Sequence, residues 1–162
     1  MPQSDAKKKT VDRGTKNKQK GKMFPNRVKT GAIEKHEIET LKLRYQYAET
    51  SSIKTFSDMP LSKKTLKALK ECDYTIPTDI QGQSILPALK GEDILGAAKT
   101  GSGKTLAFVI PVLEKLFCLQ WTRLDGLGAL IITPTRELAY QIFETFRKVG
   151  QYHEFSAGLV IG

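Results

Sequence analysis

A nine-residue run, AAKTGSGKT (97–105), lies between two apolar stretches of different length, and it restricts the fold more than any other feature. The stretch before it, DILGAA (93–98), has the length of a buried strand. The stretch after it, TLAFVIPVLEKLF (105–117), has the length and apolar spacing of a helix. A strand that enters a helix through a glycine-rich turn is typical of parallel α/β folds.

A second strand and helix, and then a third strand, follow along the chain. GALIITP (128–134) predicts a second strand, PTRELAYQIFETFRKVGQ (134–151) a second helix, and SAGLVIG (156–162) a third strand. Strands that are apolar on both faces predict a parallel sheet flanked by helices. No covering helix follows the third strand, so we expect an incomplete domain whose unpaired edge favours aggregation.

The basic residues divide the chain into unlike parts. Residues 1–30 hold ten Lys and Arg against two Asp, whereas the remainder holds sixteen against fifteen. We therefore predict a disordered basic arm (1–30), a helical extension or linker (31–52) and a folded domain (53–162). The extension could dock on the domain or on a partner. The arm is equally compatible with binding a polyanion and with a nuclear-import signal.

Several classes of protein are disfavoured. No apolar run reaches the roughly 18 residues of a membrane-spanning helix, and no secretion signal precedes the basic arm. Cys72 and Cys118 lack the spacing of metal ligands, and His36 and His153 have no ligand or base nearby in sequence. We expect no membrane association and no structural metal, the two cysteines in or near the core, and the two histidines merely structural or exposed.

The run from Ala98 to Thr105 has the chemistry of a phosphate cradle. It fits the pattern G-x-x-x-x-G-K-[ST], except that Ala98 stands at the first glycine. Lys104 would reach the phosphates of a nucleotide, Thr105 would bind Mg²⁺, and the following helix would direct its N-terminus at the anion. A chance Gly/Ser turn is the alternative. The predicted phosphate-binding residues are Ala98, Lys99, Thr100, Gly101, Ser102, Gly103, Lys104 and Thr105.

Three motifs together resemble one family. Phe56, YTIPTDIQ (74–81), AAKTGSGKT and PTRELAYQ (134–141) occur in the order and spacing of the N-terminal RecA-like domain of DEAD-box RNA helicases. The resemblance covers about residues 56–162 and implies a truncated RecA-like P-loop NTPase domain. WTRLDGLGALII (121–132) and FSAGLVIG (155–162) also resemble the nucleolar branch that acts on small-subunit pre-ribosomal RNA.

The resemblance implies an adenine pocket. The family's adenine-reading glutamine corresponds to Gln81, whose carboxamide offers a donor and an acceptor that match adenine better than guanine. Phe56 would sandwich the base, with core packing as the alternative role. Tyr74 and Thr78 would flank the pocket. Asp73 occupies a position where the family usually has glycine, which leaves the geometry of that turn open.

The resemblance also implies an RNA-backbone site at PTRELAYQ. Pro134, Thr135 and Arg136 would contact phosphates at the start of a helix. A salt bridge between Arg136 and Glu137 is the alternative. Backbone contacts carry little base information, so binding should be largely independent of sequence and sensitive to salt.

The implied function is an ATP-dependent RNA helicase that unwinds RNA or remodels RNA–protein complexes in pre-rRNA processing. ATP with Mg²⁺, pre-rRNA and ribosome-assembly proteins would be its ligands and partners, in the nucleus and specifically the nucleolus. The chain contains neither a D-E-A-D nor an S-A-T sequence, so Lys104 and Thr105 are its only expected catalytic groups. We expect these 162 residues alone not to hydrolyse ATP. The alternative is a truncated, non-catalytic nucleotide- or RNA-binding module.

Overall fold

The computed structural model describes residues 26–122 and 124–162. The elements are α1 (Asn26–Tyr47), a 3-10 helix (Thr50–Ser52), α2 (Lys63–Glu71), α3 (Asp79–Lys90), α4 (Lys104–Cys118) and α5 (Arg136–Val149). The predicted basic arm lies outside the described residues as far as residue 25, and α1 already begins at Asn26. None of the described helices is long and apolar enough to cross a membrane.

Helix α1 docks on the domain through one face. Ile38, Leu41 and Tyr45 follow the i, i+3, i+7 spacing of a helical stripe, and all three are buried. They pack around Phe117 of α4, with Phe155 partly buried beside them. The sequence left the docking partner of this extension open, and the structure shows that it is the domain itself.

Helix α4 is the centre of the main core. It packs chiefly against α3 on one side and α5 on another. Residues from every turn of α4 are buried, which agrees with the predominantly apolar sequence of this helix. The ten buried members of the main cluster are Phe56, Met59, Leu61, Leu69, Ile85, Leu106, Val109, Ile110, Leu113 and Val149.

Hydroxyl side chains cap the starts of two helices. Ser62 accepts a hydrogen bond from the Thr65 N–H at the start of α2, and Thr135 accepts one from the Leu138 N–H at the start of α5. Each hydroxyl satisfies one of the backbone donors that a helix start leaves unpaired. These caps fix where α2 and α5 begin.

The turn after α2 explains how Asp73 replaces the glycine of the family pattern. Asp73 has a φ of 59°, in the left-handed region. Its N–H donates to the Lys70 carbonyl (3.2 Å) and the Tyr74 N–H donates to the Leu69 carbonyl (2.9 Å). This pair of bonds is a Schellman termination. Asp is among the few non-glycine residues that enter the left-handed region readily, so the turn keeps a glycine-like geometry.

The predicted parallel sheet is not confirmed. Segments 93–98, 128–134 and 156–162 contain no assigned strand, and no backbone hydrogen bond joins one of them to another within the described residues. Leu95, Ile132 and Val160 are highly exposed. Composition gives these segments a preference for strand, but a strand also needs a neighbour to pair its N–H and C=O groups.

Two of these segments border an open cavity instead. Residues 126–133 and 153–160 face α4 and α5 around a volume of about 1160 Å³. Apolar side chains from both helices, including Leu113 and Ile142, contribute to its wall. The helices therefore keep an apolar surface on the side where the sequence predicts the sheet.

Candidate nucleotide site

The structure brings together two motifs that lie more than twenty residues apart in sequence. The Thr78 hydroxyl donates to the Ser102 carbonyl (2.8 Å), and Gln81 Nε2 donates to the Gly103 carbonyl (3.0 Å). Gln81 Oε1 in turn accepts from the Thr78 N–H (2.9 Å). Gln81 is 3% exposed, so its amide is held in place by packing as well as by these bonds. The start of α3 thereby supports the glycine-rich loop directly.

Gly103 is required at the end of this loop for two reasons. Its φ of +87° lies in the left-handed region, which costs most side-chain-bearing residues about 1–2 kcal/mol. A Cβ at this position would overlap Gln81 Nε2 and lie 3.1 Å from Thr78 Oγ1. The absence of a side chain therefore lets α3 approach the loop, and α4 begins at the next residue.

Lys104 lies folded over the loop that precedes it. Its ammonium group donates to the carbonyls of Ala98 and Lys99, the latter at 2.8 Å. Carbonyl oxygens carry only partial negative charge, so a phosphate is a stronger partner for this ammonium. Lys104 can thus exchange two loop carbonyls for phosphate oxygens at the start of α4.

The hydroxyl group of Ser102 is a second feature of the loop that fits an anion. Its Oγ is buried and has no hydrogen-bond partner among the described residues. A buried hydroxyl without a partner costs about 1–3 kcal/mol. A phosphate oxygen would satisfy this hydroxyl beside Lys104, and Thr105, half-buried in the first turn of α4, would be the residue that holds Mg²⁺.

The two predicted aromatic groups lie elsewhere. Phe56 is buried in the main core, and its N–H donates to the Thr75 carbonyl (3.0 Å). This placement favours core packing, the alternative for Phe56, and a stacking role remains a prediction. Tyr74 is 40% exposed and lines a surface pocket against α5. The candidate nucleotide site therefore consists of Thr78, Gln81 and the loop, and the roles of Phe56 and Tyr74 toward the base stay predictions.

The predicted RNA-backbone residues share the exposed start of α5. Pro134, Thr135 and Arg136 are all exposed, and the Thr133 hydroxyl donates to the Thr135 carbonyl (3.0 Å). Among the residues that the structure describes, Arg136 forms no ion pair with Glu137 or another carboxylate. The exposed guanidinium and the N-terminus of α5 both carry positive charge, which suits an anion.

Sequence reasoning missed a buried carboxylate in the second half of α4, away from the nucleotide loop. Glu114 of α4 is fully buried and accepts hydrogen bonds from the Ser62 N–H (2.9 Å), the Ser62 hydroxyl (2.7 Å), the Thr65 hydroxyl (2.5 Å) and the Tyr45 hydroxyl (3.3 Å). Burial raises the pKa of Glu114, and these hydrogen bonds oppose the shift. The only signal in the sequence was a single acid on the apolar face of a helix.

His153 extends this polar network. Its Nε2 lies 2.9 Å from the Thr65 hydroxyl, and its ring stacks on Phe155 with centroids 5.2 Å apart. Burial, aided by the positive charge of Lys64, lowers the pKa of His153 to about 4. The imidazole is therefore neutral near pH 7, in agreement with the structural role expected for it.

Metal-binding clusters are absent from the described part of the chain, where no three His, Cys, Asp or Glu side chains converge. Cys72 and Cys118 are both free thiols. Cys118 Sγ lies 3.5 Å from the Tyr45 hydroxyl, at the edge of the network around Glu114. The cysteines accordingly act as packing groups within these residues.

Comparison with known proteins places these motifs in context. The family model for the DEAD/DEAH box helicase matches residues 78–162. The chain is 62% identical over 130 residues to a probable ATP-dependent RNA helicase, DDX10, of Homo sapiens, covering 80% of this chain and 15% of that protein. It is 52% identical over 153 residues to the ATP-dependent RNA helicase dbp4 of Sclerotinia sclerotiorum, covering 94% and 19%.

Solved structures give the same result. The RNA helicase Prp28 from Chaetomium thermophilum bound to ADP aligns with a TM-score of 0.59 and 38% identity, over 63% of this chain and 25% of that one. A DEAD box protein from Methanococcus jannaschii aligns with a TM-score of 0.54 and 37% identity, over 60% and 26%. The chain thus spans less than a fifth of the two sequence relatives and about a quarter of the two solved chains.

Proposed function

Because the chain belongs to the DEAD/DEAH box helicase family, we propose that it supplies the adenine site, the phosphate site and part of the RNA-backbone site of an ATP-dependent RNA helicase. One observation carries the proposal: Thr78 and Gln81 bind the carbonyls of Ser102 and Gly103, at the point where Lys104 begins α4. The residue that would recognise the base is thereby hydrogen-bonded directly to the loop that would bind the phosphates.

The phosphate half of the site rests on Lys104 and Ser102. When ATP binds, the Lys104 ammonium exchanges the Ala98 and Lys99 carbonyls for phosphate oxygens. The Ser102 hydroxyl gains the partner that it lacks. Mg²⁺ bound with ATP would neutralise phosphate charge, and the Thr105 hydroxyl would hold it.

The adenine half rests on Gln81. Both polar atoms of its amide already bind the protein backbone, which fixes the orientation of the group. Each can still form a second bond, since an amide oxygen has two lone pairs and an NH₂ group has two protons. Adenine offers a matching acceptor at N7 and a donor at N6, whereas guanine has an acceptor in place of that donor.

The RNA half rests on Thr135 and Arg136 at the start of α5. Exposed backbone N–H groups and a guanidinium form a site for a phosphate without reading bases. We further propose pre-rRNA and ribosome-assembly proteins as partners and the nucleolus as the location. The support is the resemblance of segments 121–132 and 155–162 to the nucleolar branch of the family.

The test is RNA-stimulated ATP hydrolysis and duplex unwinding by the full-length protein. Lys104→Ala should abolish both activities, because it removes the ammonium group that binds the phosphates of ATP. Lys115→Ala is the matched control, since Lys115 is exposed on the same helix. Hydrolysis at the wild-type rate in Lys104→Ala would contradict the proposal.

The second candidate, a non-catalytic binding module, is favoured by the charge of residues 1–30. Deleting these residues discriminates between the two. If the deletion abolishes RNA binding and leaves ATP binding intact, the arm holds the RNA. If RNA binding persists and depends on Arg136, the site on α5 holds it.

A further inference from the structure

A second, smaller pocket lies on the surface where the turn after α2 meets α5. Its volume is about 310 Å³, and its lining residues are Tyr74, Tyr140, Gln141, Glu144, Thr145, Lys148 and Val149. This is the lower end of the volume range of small-molecule sites. The pocket belongs to neither the nucleotide loop nor the start of α5.

Hydrogen bonds join the end of α2 to the segment just beyond α5, and local bonds fix the turn that carries Tyr74. Glu71 at the end of α2 accepts from the Tyr152 hydroxyl (2.6 Å) and from Gln151 Nε2 (3.3 Å), just beyond α5. Tyr74 is placed by the left-handed turn at Asp73 and by its own N–H bond to Leu69. The pocket is thus a fixed feature of the packing of α2 and its turn against α5.

Two tyrosine rings from separate elements border this pocket without being buried by the core. Tyr74 is 40% exposed and Tyr140 is 56% exposed. Neither hydroxyl has a hydrogen-bond partner among the described side chains and backbone. Exposed aromatic surface in a concave site is suited to a planar ligand, because flat rings gain most by stacking.

The polar groups of the pocket favour an anionic ligand that also carries hydrogen-bonding groups. Glu144 is compensated by Arg147 at 3.2 Å. Lys148 is exposed and has no ion-pair partner within the described residues. Gln141 adds an exposed amide that can both donate and accept. A nucleotide unit combines the flat ring, the polar edge and the phosphate that these groups would bind.

We propose that this pocket binds one nucleotide of a single-stranded RNA, with the base stacked on Tyr140, Tyr74 at the opposite wall and a phosphate at Lys148. The proposal rests on the RNA-binding function proposed above. Tyr140 lies one helical turn from Arg136, an axial distance of about 6 Å. The pocket thus begins within the span of one nucleotide from a backbone phosphate held at the start of α5. Stacking is tolerant of sequence, so the contact adds affinity without base specificity.

The test is the affinity of the full-length protein for a fluorescein-labelled oligouridylate, measured by anisotropy with a non-hydrolysable ATP analogue present. Tyr140→Ala should raise the Kd by about five-fold or more, whereas Tyr140→Phe, which keeps the ring, should stay within about two-fold. Tyr47→Ala is the control, because Tyr47 is an exposed tyrosine on α1 outside the pocket.

Arg136→Ala separates this inference from the proposed function. If Arg136→Ala weakens RNA binding and Tyr140→Ala does not, the pocket proposal is wrong and the backbone site stands. If neither variant changes the Kd, both proposals fail. A pocket that takes up a protein segment instead would give the first of these results.

Photocrosslinking of the wild-type protein makes the test independent of variant folding. An oligouridylate carrying 5-iodouridine should form adducts at Tyr140 or Tyr74, located by mass spectrometry. Adducts confined to other residues would overturn the proposal.

Discussion

Replacing Glu114 by alanine should loosen the contact between α1, α2 and α4. Its carboxylate accepts from two donors on Ser62, one on Thr65 and one on Tyr45, all in a buried setting. Thr65 and Tyr45 keep His153 and Cys118 as second neighbours. The Ser62 N–H has no second neighbour within the described residues.

The magnitude follows from the number of donors left without a partner. An unpaired buried donor costs about 1–3 kcal/mol, and at least the Ser62 N–H is left in that state. Removing the side chain from the core adds a cavity, which brings the expected loss to about 3–5 kcal/mol. Glu114→Gln keeps an oxygen for the Ser62 N–H, and its NH₂ can donate to the two hydroxyls. Its cost should stay below about 1.5 kcal/mol.

Hydrogen exchange followed by mass spectrometry of the full-length protein measures this locally. Amides of α1 and α2 should exchange about 150- to 5000-fold faster in Glu114→Ala, which corresponds to the expected loss of about 3–5 kcal/mol in local opening. Glu114→Gln should change exchange by roughly ten-fold at most. Equal protection in Glu114→Ala and wild type would refute the assignment of Glu114 as the buried acceptor.

Acid should destabilise the fold through His153, because burial lowers the pKa of this residue to about 4. The stability that the neutral imidazole contributes is present above pH 6.5. As the pH falls toward 4, the free energy of unfolding should decrease by about 3 kcal/mol. Glu114 has a raised pKa and acts with the opposite sign, so its contribution has to be separated from that of His153. The check is to measure the Tm against pH for the wild type and for His153→Gln, in which the decrease of the Tm in acid should be smaller. Gly103→Ala should lower the free energy of opening of the first turn of α4 by about 2–3 kcal/mol, measured by hydrogen exchange. Gly101→Ala has open space around its Cβ and should cost only the about 1–2 kcal/mol of a positive φ. Asp73→Val should cost about 1–2 kcal/mol and Asp73→Gly should be neutral within about 1 kcal/mol in the same exchange experiment, and equal effects of both would contradict the left-handed turn.

Features set by near neighbours in the chain were predictable from the sequence. Helix α4 was predicted to begin at Thr105 and begins at Lys104, and α5, predicted from residue 134, begins at Arg136 behind its cap, Thr135. Caps, glycine-rich turns and apolar spacing act over three or four residues, so a linear pattern contains them. The glycine-rich turn before α4 was predictable for the same reason, and its phosphate-binding role stays a prediction.

Features that depend on distant contacts were not predictable. The sequence showed Glu114 only as a single acid on the apolar face of α4, and its partners Ser62 and Tyr45 come from distant parts of the chain. The bond from Gln81 to Gly103 joins two motifs whose proximity the sequence does not encode locally. The three predicted strands had the right composition, but pairing requires a partner strand, and composition alone does not provide one.

Titration of the full-length protein with ATP and GTP tests the central claim most directly, which is that Gln81 and the loop at Gly103 form one adenine-nucleotide site. ATP should bind about 5- to 100-fold more tightly than GTP, because each bidentate base contact contributes about 1–3 kcal/mol of discrimination. Gln81→Ala should remove most of this preference, whereas Gln83→Ala, an exposed glutamine on the same helix, should retain it. Equal affinity for ATP and GTP, or a preference unchanged by Gln81→Ala, would contradict the account.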